Sequence, residues 1–78
     1  MRQAQIFRKN TLAGLLSERE CEILRHISQG WLSKQIADAL RISVNTVNNH
    51  RQNILRKLLC QNTTEAVGVA RKLGLLQQ

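Results

Sequence analysis

The sequence predicts an all-α domain of four short helices, the second and third joined by a tight turn, and three observations lead there. Apolar residues recur at spacings of three and four, as on one face of a helix, with no strand-like alternation. Ser17, Ser33, Ser43 and Asn62, residue types that cap helix N-termini, each stand just before such a run. Gly30 and Gly74 follow two of the runs, where a chain leaving a helix turns through a left-handed residue. With 78 residues there is room for one small core and none for a large enclosed cleft. A hydrophobic share of 42% against 22% charged residues suffices to form that core rather than a disordered chain.

Residues 1–15 read as an N-terminal arm or linker stub ahead of a folded unit spanning 16–78. Met1 to Asn10 is mostly polar, and Leu12, Leu15 and Leu16 are expected to dock the end of the arm on the core. The first helix covers about 17–29. It opens on a capping box, Ser17-Glu18-Arg19-Glu20, in which the Ser17 hydroxyl accepts from the Glu20 amide and the Glu20 carboxylate reaches back. Ile23, Leu24 and Ile27 face inward, and Gly30 ends the helix. Trp31 could stack on a base, but with no aromatic neighbour it is placed over the core.

Ser33 is read as the cap of a second helix over 33–40, with Ile36, Ala37 and Leu40 inward and the small Ala37 letting the next helix cross closely. Only Arg41, Ile42 and Ser43 separate it from a third helix over 44–59. There Val47, Ile54 and Leu58 form a buried stripe with His50 between them. His50 is either wedged in the core or hydrogen-bonded to a first-helix side chain, with Glu20 the candidate partner. Asn62-Thr63-Thr64-Glu65 caps a fourth helix over 63–73, whose core face holds Ala66, Val69, Ala70 and Leu73.

Two helices at a tight turn, apolar inside and polar outside, have the layout of a helix-turn-helix DNA reader. Charge agrees with it. The net +7 is concentrated on an acid-free arm with Arg2, Arg8 and Lys9, and on an acid-free stretch with Arg41, Arg51, Arg56 and Lys57. Such a field suits a polyanion, although a solvated basic face with no partner has the same charge. The outer face of the third helix carries Asn45, Asn48, Asn49, Gln52 and Arg56. Asparagine is a mediocre helix former, so its accumulation calls for another reason. Asn and Gln amides can bond adenine bidentately in the major groove, and Arg can bond guanine. Asn45, Asn48, Asn49 and Gln52 are therefore the candidate base readers. Ser33 and Lys34, with Thr46, Arg51, Arg56 and Lys57, are the candidates for phosphate contacts that position without specifying.

Other function classes find little support. Cys21 and Cys60 lie far apart, and neither they nor His26 and His50 complete a zinc-ligand spacing, so no metal or other cofactor is expected. Two thiols with no signal peptide suit a reducing cytoplasm, and no apolar run approaches the length of a membrane span. There is no Gly-rich phosphate loop and no paired carboxylates, so an enzyme is not expected.

The combined pattern resembles the DNA-binding domain of the LuxR/FixJ group of bacterial transcription regulators over roughly residues 16–76. The residues that carry it are Leu16-Ser17-Glu18-Arg19-Glu20, Glu22-Ile23-Leu24, Gly30, Ser33-Lys34-Gln35-Ile36-Ala37, Ile42-Ser43, Thr46-Val47, His50, Asn53-Ile54, Lys57-Leu58 and Thr64-Glu65-Ala66. The resemblance implies a four-helix domain whose third helix enters the major groove of double-stranded DNA. It places base reading on Asn48, Asn49 and Gln52, with Asn45 nearby, and backbone contacts on the start of helix two at Lys34, on Thr46 and near Lys57. It further implies a homodimer on an inverted repeat through the fourth helix, near Thr64, Val67, Gly68 and Arg71, and a receiver or sensor domain elsewhere in the full-length regulator. Two positions depart from the group. Arg41 stands where a glycine usually precedes Ile-Ser, so a left-handed backbone there would cost on the order of 1 kcal/mol unless the turn is wound differently or a phosphate contact offsets it. The reading face carries neutral amides where lysine is common, which suggests adenine-containing steps.

Two readings from other classes compete. A basic RNA-binding or ribosome-associated helical module would share the high pI but has only Phe7 and Trp31 as stacking platforms. A protein-interaction domain that has lost DNA binding would fit a neutral reading face.

Overall fold

The computed structural model describes residues 14–76. Among them are the helices α1 (Glu18–Ser28), α2 (Ser33–Leu40), α3 (Val44–Leu58) and α4 (Thr63–Leu73), with Gly14 and Leu15 also helical and no strand among the described residues. Most of the expected arm, Leu12 included, lies outside them. Leu16 is fully buried, as expected, whereas Leu15 is exposed.

Three of the four caps form as the sequence indicates. The capping box of α1 is complete, with both reciprocal bonds between Ser17 and Glu20 at 3.0 Å. The Ser43 hydroxyl accepts the Thr46 amide at 3.0 Å, and the Asn62 amide oxygen accepts the Glu65 amide at 2.8 Å. The expected cap of α2 is corrected. Leu32 is the N-cap, with extended backbone, and its N–H donates to the Gln35 side chain at 2.7 Å. Ser33 is already the first helical residue, where its hydroxyl no longer faces the free amides ahead of it.

Helices α1 to α4 leave through the same turn. A left-handed residue is followed by an amide that donates back to a carbonyl one turn earlier: Trp31 to His26, Ile42 to Ala37, Cys60 to Leu55 and Leu75 to Ala70. The left-handed residues are Gly30, Arg41, Leu59 and Gly74. Arg41 has φ 58° and ψ 46°, so the turn is wound as it would be with glycine. The residue after each turn packs on the core, and Trp31 does so by stacking on His26 with ring centroids 4.2 Å apart.

α3 packs against each of the other three helices, and α1 also packs against α4. Ile23, Leu24, Ile36, Val47 and Ile54 are essentially inaccessible, each contributing about 1.5–3 kcal/mol of burial. Ala37, Ala66 and Ala70 are buried with them. One core assignment is corrected: Leu73 is exposed and Leu76 is buried instead. The turn at Gly74 folds the chain back, so the apolar residues after it reach the core and the last one before it does not.

Candidate nucleic-acid interface

With the apolar stripe of α3 turned inward, Asn45, Asn48, Asn49 and Gln52 all stand exposed on its outer side. Lys34 is exposed on the first turn of α2, and Arg56 is exposed near the end of α3. Arg51 and Thr46 are half-buried. The Thr46 hydroxyl lies 2.9 Å from that of Ser43, while an Arg56 guanidinium N–H donates to Asn53 Oδ1 at 2.8 Å. Ser33 reaches across the helix-turn-helix: its hydroxyl donates to Asn48 Oδ1 at 2.9 Å.

Electrostatics separates the helices into two kinds. α1 begins with Glu18 and Glu20, and α4 has Glu65 in its first turn, so their positive dipole ends are met by carboxylates. α2 and α3 have no acid in the first turn. Their free amides and dipoles remain available to an outside anion. This signal was present in the sequence, at Ser33-Lys34-Gln35 and Val44-Asn45-Thr46.

Lys57, a candidate phosphate contact, has a partner within the chain. Its ammonium lies 2.8 Å from Glu20 Oε1, and the Glu20 side chain is only 5% accessible. Burial pushes the Glu20 carboxyl up. The bond from Lys57, the Ser17 amide and the positive charge of Lys57 and His50 outweigh it and hold the carboxyl below its ordinary value. The pair ties the start of α1 to the end of α3. The hydrogen bond considered between His50 and Glu20 does not form: the Glu20 oxygen is taken by Lys57 and Ser17, and His50 Nδ1 is buried without a partner. Sequence reasoning found Glu20 as a cap and missed it as a clamp, because Lys57 is 37 positions away.

Thr64, Val67, Gly68 and Arg71 come together on α4. With Ile27, Ser28 and Thr63 they line an open groove of about 300 Å³ beside the end of α1. No helix among the described residues is long and apolar enough to cross a membrane.

A basic, amide-rich helix held outward by a tight turn, next to two acid-free helix starts, defines a helix-turn-helix domain of the DNA-binding regulators. Residues 14–70 match the family model of the bacterial regulatory proteins, luxR family. The response regulator protein VraR of Staphylococcus aureus, and that of Staphylococcus epidermidis, is 44% identical over 63 residues. The match covers 81% of this chain and 30% of each relative, so the chain spans less than a third of their length. The solved structure of the transcription factor GerE superposes with a TM-score of 0.78 at 35% identity, covering 81% of this chain and 94% of that one. The chain belongs to the LuxR family of bacterial regulatory proteins.

Proposed function

We propose that α3 is a recognition helix that enters the major groove of double-stranded DNA and reads a specific sequence. The observation that carries this reading is the coincidence of the exposed amide face with the only two acid-free helix starts among the described helices. Asn45, Asn48, Asn49 and Gln52 face base edges, where amide groups can donate and accept together. Lys34, Thr46, Arg51 and Arg56 hold the phosphates, Lys34 and Thr46 from the two helix starts. Lys57 and Ser33 contribute less to the backbone than their positions in sequence suggest, because each is tied to a neighbouring helix, whereas the bonds of Thr46 and Arg56 are local ones across three positions. The α4 face around Thr64, Val67, Gly68 and Arg71 pairs two copies on an inverted repeat, and its groove admits a partner helix. In the full-length protein, residues 1–15 serve as the arm to a receiver or sensor domain, and the unit from 16 to 78 acts as the DNA-binding output of a cytoplasmic transcription regulator. The naming of its relatives as response regulators supports that assignment.

Enrichment of random duplexes on the domain tests the reading, followed by affinity measurements on the best site and on unrelated DNA. Gln52→Ala should weaken the best site by about 1–3 kcal/mol and leave unrelated DNA nearly unchanged. Lys34→Ala should weaken both, with the salt dependence flattened by about one unit. Equal losses for Gln52→Ala on both DNAs would remove it from base reading.

A further inference from the structure

The one polar side-chain bond between α2 and the reading face joins Ser33 to Asn48, 15 positions apart in the chain. It exists because Ser33 does not cap its helix. Leu32 occupies the cap and the Gln35 side chain serves its amide, so the Ser33 hydroxyl is free to cross to α3. The oxygen and the nitrogen of an asparagine amide point to opposite sides of the group. Held by its oxygen toward α2, Asn48 turns its NH₂, a pure donor, away from α2 on the exposed face.

We propose that Ser33 is a positioning residue that sets which base Asn48 reads, presenting the amide nitrogen so that guanine is chosen over adenine. The inference rests on α3 lying in the major groove. An asparagine reads adenine by accepting from N6 and donating to N7 together, which needs both ends of the amide directed at one base. With its oxygen drawn to Ser33, Asn48 offers only N–H groups. Guanine presents two neighbouring acceptors, N7 and O6, for the two N–H groups, whereas adenine sets an N6 donor beside its N7, thymine offers the single acceptor O4 next to its methyl group, and cytosine presents a donor alone. Asn48 therefore differs from Asn45, Asn49 and Gln52, for which the structure shows no such tether.

Random-duplex enrichment with the wild-type domain, Asn48→Ala, Ser33→Ala and Ser33→Thr tests this, with thermal melting of each variant as a check on folding. Asn48→Ala identifies the base pair whose preference disappears. At that pair the wild type should select G·C over A·T by about tenfold. Ser33→Ala frees the amide to turn over and should bring the two pairs to near equality, with melting unchanged. Ser33→Thr, which keeps the hydroxyl, should restore the preference, a recovery that a merely structural role for Ser33 would not produce. Any other base at that pair in the wild type, or an unaltered preference in Ser33→Ala, overturns the role of Ser33 while leaving groove reading intact. Failure to enrich any half-site overturns groove reading, and this inference with it.

Discussion

α1 and α4 close their last turns with glycine, while α2 and α3 close the same turn with Arg41 and Leu59. The backbone bonds are equivalent in all four, and in each the next residue docks on the core. Only the cost differs. Glycine adopts φ 90° at Gly30 and 80° at Gly74 freely, whereas a side chain at φ 58° is disfavoured by about 1–2 kcal/mol. Neither strained side chain recovers that by burial, since Leu59 is 90% accessible and Arg41 is exposed. The two strained residues stand immediately before and after the segment that carries α3, the helix proposed to meet DNA. Such conformations persist where surrounding contacts over-determine them. Ile42, half-buried, holds the first turn, while Leu58 and the Glu20–Lys57 pair hold the second.

The largest effect should come from removing that hold. Lys57→Met leaves the buried Glu20 carboxylate without its ammonium partner and should cost about 1–3 kcal/mol in urea unfolding. A loss inside about 0.5 kcal/mol would mean that packing alone secures the end of α3. Acid should reach the same interaction by titration. Because the folded state holds the Glu20 carboxyl below its ordinary value of 4.5, the stability it contributes is complete above that pH and is lost as pH falls through the lower folded value. Melting temperatures of the wild type should therefore fall more steeply below about pH 4.5 than those of Glu20→Gln.

Smaller effects of opposite sign should separate the two kinds of helix end. A Cβ at Gly30 or Gly74 meets nothing within 4 Å, so alanine there carries only the conformational penalty, about 1 kcal/mol of stability. Arg41→Gly and Leu59→Gly should instead gain about 0.5 kcal/mol each, the relief of strain exceeding the added freedom of the unfolded chain. Four changes of the same sign would show that the turns are not equivalent. If Arg41→Gly gained stability and also weakened DNA binding, the strain at that turn would be tied to function.

The helices and most caps were legible because the interactions that create them are local. Ser17 and Glu20, or Asn62 and Glu65, bond across three positions, and the inward stripe of α3 repeats with the helical period. The exposed amide face was legible for the same reason: once Val47, Ile54 and Leu58 turn inward, Asn45, Asn48, Asn49 and Gln52 must turn outward. Ser33 misled because a serine before an apolar run satisfies the composition of a cap, while the cap itself is a matter of which residue stays extended. Leu73 and Leu76 exchanged places because the chain reverses at Gly74 and the helical period no longer applies beyond it.

By itself, then, the sequence determined the four helices, their inner faces and the amide-rich outer face of α3, since local bonding and a period of 3.6 residues specify them. Only the tertiary structure decided which polar groups were already spent. Lys57 is held by Glu20 and Asn48 by Ser33, pairings made when α3 is laid across α1 and α2. No local rule reaches such distances along the chain, because it is the packing of the apolar faces that brings these groups within hydrogen-bond range.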